Sequence, residues 1–94
     1  MAKKAIYHTF GGKKYKVIFE YPSKMGDADG KCDDPTSKGK TIKISMGLDP
    51  ERELEVLIHE TLHIFDWRCD EEYIERMGKD ISSFLYKLGY RKQE

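Results

Sequence analysis

Residues 41–65 read TIKISMGLDPERELEVLIHETLHIF, and the fold turns on the change of period inside them. From Thr41 to Met46 the chain alternates, with Ile42, Ile44 and Met46 on one side, which predicts a half-buried strand ending at Gly47. Beyond it Asp49 suits an N-cap, Pro50 the first helical position, and Glu51 and Glu53 the positive end of a helix dipole. Leu54, Leu57, Ile58, Thr61, Leu62 and Phe65 then recur at helical spacing as the expected core stripe, with Val56 and Trp67 on the far side. A helix so nearly apolar all round belongs between two layers, not on a surface.

Upstream, Tyr15, Val17, Phe19 and Tyr21 alternate with Lys16, Ile18 and Glu20, so a second strand runs to the stop at Pro22. Gly11-Gly12 turns the chain into it, and Ala5 to Phe10 supplies a short partner strand. Residues 23–40 form a long loop rich in Gly, Asp and Ser, with room for a short strand near Lys31-Cys32. Downstream, a break at Asp66 to Asp70 leads to a second helix, Glu71 to Leu88, with Ile74, Met77, Ile81, Phe84, Leu85 and Leu88 inward and Gly89 as its left-handed cap. Gly78 inside that helix implies close approach of another backbone. The expected class is α+β: a small antiparallel or mixed sheet of two to four short strands packed on a buried helix, followed by a C-terminal helix. Residues 1–94 are read as one domain, a β-rich half to residue 48 and a two-helix half over 49–89.

The 94 residues carry 17 Lys+Arg against 17 Asp+Glu, which excludes any function resting on global charge. Residues 1–48 hold ten lysines and five acids, a charge of +5, so the remainder carries −5. The charge is segregated, as befits two faces with different partners. Two cysteines, Cys32 and Cys69, are too few for a disulfide framework, and neither a signal segment nor an apolar run of membrane-spanning length is evident. The expectation is a cytoplasmic protein with free thiols and no membrane partner.

Within the first helix lies His59-Glu60-Thr61-Leu62-His63. Four residues turn a helix through about 400°, so both imidazoles leave one side, one turn apart, and can share a tetrahedral metal. Glu60 points aside yet reaches a water at that metal as general base. A helical projection sets the histidines nearly opposite the core stripe, toward the second helix. A third ligand is then sought there. Glu71 at its head is the first choice and Glu72, Glu75 and Cys69 are rivals; the bland alternative for the acids is decoration of a helix dipole. Glu75 and Asp66 are read as groups that hold the ligands in place by hydrogen bonds. Tyr73 and Tyr90 are the candidate oxyanion donors. Gly39-Lys40-Thr41 fails as a phosphate loop because Asp34 stands where Gly is needed, and Asp27-Ala28-Asp29-Gly30 fails as a calcium loop. His8 is read as merely exposed.

The combination of HExxH with Gly30-Lys31-Cys32-Asp33-Asp34-Pro35, Thr41-Ile42-Lys43-Ile44, Asp66-Trp67 and Asp70-Glu71-Glu72-Tyr73-Ile74-Glu75 resembles the small phage- or prophage-type minimal zincins, near the SprT-like and ImmA/IrrE-like metallopeptidases. The resemblance spans about Gly30 to Tyr90. It implies one Zn2+ held by His59, His63 and an acid of the second helix, with Glu60 as catalytic base. It also implies an edge strand beside the active-site helix that pairs with an extended peptide substrate, here assigned to Thr41–Met46. Two other readings stay open: a non-catalytic, zinc-stabilised protein-binding module of phage or prophage origin, and a nucleic-acid-associated protein using the Lys-rich N-terminal half, to be tested at Lys13, Lys14 and Lys16. For the last, lysines scattered over strands and loops more often form a solvated face, so a nucleic-acid partner is not expected.

Overall fold

The computed structural model describes residues 5–92. Strands β1 (Ala5–Phe10), β2 (Lys13–Glu20), β3 (Gly30–Cys32) and β4 (Thr41–Ser45) precede helices α1 (Pro50–Phe65) and α2 (Glu71–Lys87), as the α+β pattern requires. The sheet order is β1-β2-β4-β3. β1 and β2 form an antiparallel hairpin through Gly11 and Gly12, which adopt φ of 53° and 83°. β2 and β4 are parallel, with Val17 beside Ile42 and Phe19 beside Ile44. β3 closes the far side antiparallel to β4, Cys32 opposite Ile42 and Gly30 opposite Ile44.

This order corrects the expected edge. The strand at Thr41 to Met46 lies inside the sheet, because the chain leaving β2 passes the end of β4's future position and lays β3 outside it first. The crossing is pinned by Ser45 N donating to Asp29 O at 2.8 Å and Met46 N to Glu20 O at 2.9 Å. The strand beside α1 with an open edge is therefore β3.

One face of the sheet packs on α1. Tyr15, Ile42 and Ile44 are fully buried against Val56 and Ile64, with Phe10, Val17, Phe19, Cys32, Leu48 and Leu57 around them. Each such aliphatic side chain contributes roughly 1.5–3 kcal/mol by leaving water. The Tyr15 hydroxyl donates to Asp33 O at 2.9 Å, and burial pushes its pKa up to about 12. α1 thus sits between the sheet and α2, as its all-round apolarity requires.

Its rotation differs from the projected one. The side facing the sheet is Glu53, Val56, Glu60 and Ile64, so Val56 is core, whereas Phe65 at the helix end is 65% exposed and meets Phe10 edge-on. At about 100° per residue, His59 and His63 stand a quarter-turn from that side rather than opposite it. A helix apolar on most sides offers several equivalent stripes, and only its neighbours choose among them. Glu53 at the sheet end is matched by Lys92 Nζ at 3.2 Å, which also lies 4.2 Å over the Phe19 ring.

α2 meets α1 through small residues. Ile74, Gly78 and Ser82 are its buried side, while Ile81, Phe84 and Leu88, expected inward, are exposed. A carbon added at Gly78 would lie 3.6 Å from Glu55 O and from His59 Cα, so the two backbones approach as closely as the sequence implied. Gly89, at φ 100°, caps the helix: its N–H donates to Tyr86 O at 3.0 Å and that of Tyr90 to Leu85 O at 3.1 Å. Among the described residues no helix is long and apolar enough to cross a membrane.

Gly78 separates fit from propensity. Gly78→Ala should raise the melting midpoint, by up to ~1 kcal/mol of stability, because a methyl meets ordinary contact distances and a helical Gly is replaced. Gly78→Leu should lower it by prising α2 from α1. A destabilised Ala variant would mean that the helices pack closer than described.

Candidate metal centre

Asp70 sets the phase of α2. Its carboxylate accepts from Tyr73 N at 3.3 Å as N-cap, so the helix begins at Glu71 and aims that side chain back at α1. Glu71 Oε1 lies 2.8 Å from His59 Nε2 and Oε2 3.2 Å from His63 Nε2. The two Nε2 atoms are themselves 3.3 Å apart. Among the described residues, His59, His63 and Glu71 are the group whose donor atoms all lie within 4.8 Å of one another.

That triangle can be tested against a cation. Tetrahedral zinc with bonds of about 2.0–2.1 Å holds neighbouring donors about 3.3 Å apart, and two imidazoles with one carboxylate are a donor set it accepts. The 3.3 Å between the two Nε2 atoms and the 3.2 Å from His63 Nε2 to Glu71 Oε2 match that spacing, while the other oxygen, Oε1, lies closer to His59 Nε2 at 2.8 Å. Burial lowers the pKa of His63, Glu71 pulls it back, and His59 adds to the fall. The favoured neutral ring is the form that ligates. The His63 ring also rests 5.8 Å from that of Trp67, which walls the outer side of the site.

Glu60 leaves the helix toward the sheet. It is 9% exposed, and burial raises its pKa, with His59 opposing and Glu71 adding to the rise. Its carboxylate has no hydrogen bond to another described group, and no fully enclosed side-chain oxygen or nitrogen among the described residues lacks a partner, so it keeps access to solvent. It opens on a cleft of about 140 Å³ bounded by Gly30 of β3, Asp29, Arg52, Val56 and His59. Arg52 closes one end, bound to Asp29 Oδ2 at 2.9 Å and to Glu55 at 3.3 Å.

Gly30 decides where Glu60 can lie. A carbon added there would stand 2.5 Å from Val56 Cγ1 and 2.9 Å from Glu60 Oε2. Only hydrogen fits. An isolated glycine in a short strand is the signal that could have marked this approach from sequence. Beside it, burial, with help from the Glu60 and Asp33 charges, pushes the Cys32 thiol up to about 12.

The remaining candidates do not join the cluster. Glu72 and Glu75 are exposed on α2, and Cys69 sits partly buried in the turn between the helices, its N–H donating to Asp66 O at 3.1 Å. Asp66 is no helical neighbour of the imidazoles: α1 ends at Phe65, and Asp66 turns away at φ −149°, ψ 81°. Neither Asp66 nor Glu75 hydrogen-bonds to a ring or to Glu71 among the described residues. Tyr73 and Tyr90 are 51% and 62% exposed and make no hydrogen bond to the cluster. Comparison with known protein families, curated proteins and solved structures finds no match, so residues and geometry alone carry the functional reading.

One substitution and one labelling experiment examine the Gly30 contact. Gly30→Ala should cost about 1–3 kcal/mol in denaturant unfolding, as an overpacked site does. In the native protein at pH 8, Cys32 should resist alkylation and react on unfolding, followed by peptide mass mapping. A Cys32 that labels as fast folded as unfolded would contradict its burial beside Glu60.

Proposed function

We propose that this chain is a zinc-dependent peptidase. The observation that carries the reading is the convergence of His59, His63 and Glu71 on one point while Glu60, next in sequence to His59, faces the adjoining cleft without a hydrogen-bond partner. Those three residues would hold the ion. Zinc, when bound, supplies Lewis-acid chemistry that polarises a peptide carbonyl and makes water a better acid. The chain's own part is proton transfer and positioning. Glu60 takes a proton on its carboxylate and returns it to the leaving amine nitrogen, a task suited to a carboxyl whose pKa burial has raised. The open edge of β3, whose Gly30 borders the cleft, offers backbone groups to an extended peptide. The free thiols of Cys32 and Cys69 suit a reducing, cytoplasmic setting.

A second reading is favoured by where the cluster sits. It ties the first turn of α2 to α1, and α2 is otherwise held by a narrow line of Ile74, Gly78 and Ser82. An ion there would clamp the helix whether or not it catalyses anything, as in a zinc-stabilised binding module.

Metal analysis and a broad peptide library separate the two. Wild type and Glu60→Gln should each bind one zinc; Glu71→Gln should lose it. Chelation should lower the melting midpoint of wild type and leave Glu71→Gln unmoved. Hydrolysis should fall by about 10²–10⁴-fold in Glu60→Gln, the usual worth of a general base. Undiminished cleavage by Glu60→Gln would end the peptidase mechanism, and zinc retained in Glu71→Gln would end the ligand assignment.

A further inference from the structure

The sheet has a second face that α1 and α2 leave uncovered, although Glu20 and Ser45 at one end of it are buried. α1 covers the side that carries Tyr15, Ile42 and Ile44, and α2 lies behind α1. Strand alternation therefore turns Lys14, Lys16 and Ile18 of β2, Thr41 and Lys43 of β4, and Lys31 of β3 the other way. Register orders them further. Tyr7 of β1 is level with Lys16 and Thr41; Ile18 is level with Lys43, and Lys43 with Lys31. The four lysines form a diagonal band across three strands, flanked by Tyr7. Lys13, singled out with Lys14 and Lys16 by the sequence, belongs to the opposite side, paired with Phe10.

This band is costly if left alone. Lys31 and Lys43 stand directly opposite each other, an arrangement that destabilises a sheet. None of the four has an ion pair with an acid among the described residues. Lys14, Lys31 and Lys43 are exposed, and Lys16 is half-buried. The nearby Asp33 carboxylate is engaged by Thr41 N at 3.0 Å. A polyanion would remove the repulsion. Tyr7 says which kind: its ring is 58% exposed and lies 5.2 Å from Lys14 Nζ, a flat π surface beside a cation. Base stacking on an aromatic next to phosphate-binding lysines is the physics of single-strand recognition, whereas an acidic peptide has no use for the ring. Strands spaced about 4.8 Å apart make the face about 14 Å wide, suited to a few unpaired nucleotides rather than to entering a duplex groove.

We propose that the open face of the sheet binds single-stranded nucleic acid, with Lys14, Lys16, Lys43 and Lys31 on phosphates and Tyr7 stacked on a base. The surface is separate from the His59-His63-Glu71 cluster and independent of any peptidase reading.

The test is fluorescence anisotropy of a labelled oligothymidylate ten-mer with the full chain, over a range of salt. The slope of log affinity against log salt should be about −3, as four phosphate contacts on a single strand give. The double variant Lys31→Ala/Lys43→Ala should halve that slope, and Tyr7→Ala should weaken binding at least about 5-fold. Lys24→Ala/Lys38→Ala, the same charge change in loops, should leave affinity within about 2-fold; all variants are checked by circular dichroism. The proposal is overturned by an absence of salt-sensitive binding, by equal loss in the loop variant, by tighter binding of a duplex of equal length, or by an oligoglutamate ten-mer that competes as well as unlabelled oligothymidylate.

Discussion

Between edge strand and helix there is room at Gly30 for a hydrogen and nothing more, since a carbon would stand 2.5 Å from Val56. Much of the arrangement follows from that closeness. Pressing β3 onto α1 commits Val56 and Glu60 to the sheet side of the helix. Because consecutive helical residues are about 100° apart, the commitment swings His59 out of the core and toward α2. One residue step thus sends a carboxylate and an imidazole into two different layers. The second close approach, at Gly78, lets α2 come near enough for Glu71 to span both rings. Two glycines on opposite sides of α1 set the geometry of the cluster between them.

The electrostatics of this helix follow from the same seating. Glu60 is driven toward its neutral form by burial beneath β3, and His63 toward its neutral form by burial against α2. Glu71 remains largely exposed and touches both rings, so its charge reaches the pair from the solvent side. A ring driven toward its neutral form and a carboxyl of raised basicity thus lie three residues apart on one helix. Depth assigns each of them, not residue type alone.

What the sequence made legible was whatever a local period or cap determines. The strands at 15–21 and 41–46, the start of α1 at Pro50, the start of α2 at Glu71 and the cap at Gly89 are all set by neighbours within a few residues. Glu71 as the acid nearest the histidines was readable for that reason, since Asp70 fixes the helix phase. Strand order was not. Nothing local says that a three-residue strand will be laid outside β4 before β4 is made. The rotation of α1 was also hidden, because Leu54, Ile58 and Leu62 make as good a stripe as Val56, Glu60 and Ile64 until the space left at Gly30 admits Val56 and Glu60 beneath β3. Asp66 falls at the C-cap, where the backbone leaves the helix as the sequence implied, and the direction of its side chain there is not set by helical spacing.

The zero net charge now has a spatial meaning. Lys14, Lys16, Lys31 and Lys43 lie on the open side of the sheet, whereas Glu71, Glu72 and Glu75 head α2 on the far side of α1. Helix axes pack 8–10 Å apart, and the sheet adds a comparable layer, so much of the acidic surface is roughly two screening lengths from the basic one at physiological salt. At that distance the two charge sets barely feel each other. Neither neutralises the other, and each keeps its full local field for whatever approaches it. A chain with its charges evenly mixed would have the same composition and pI, and neither face.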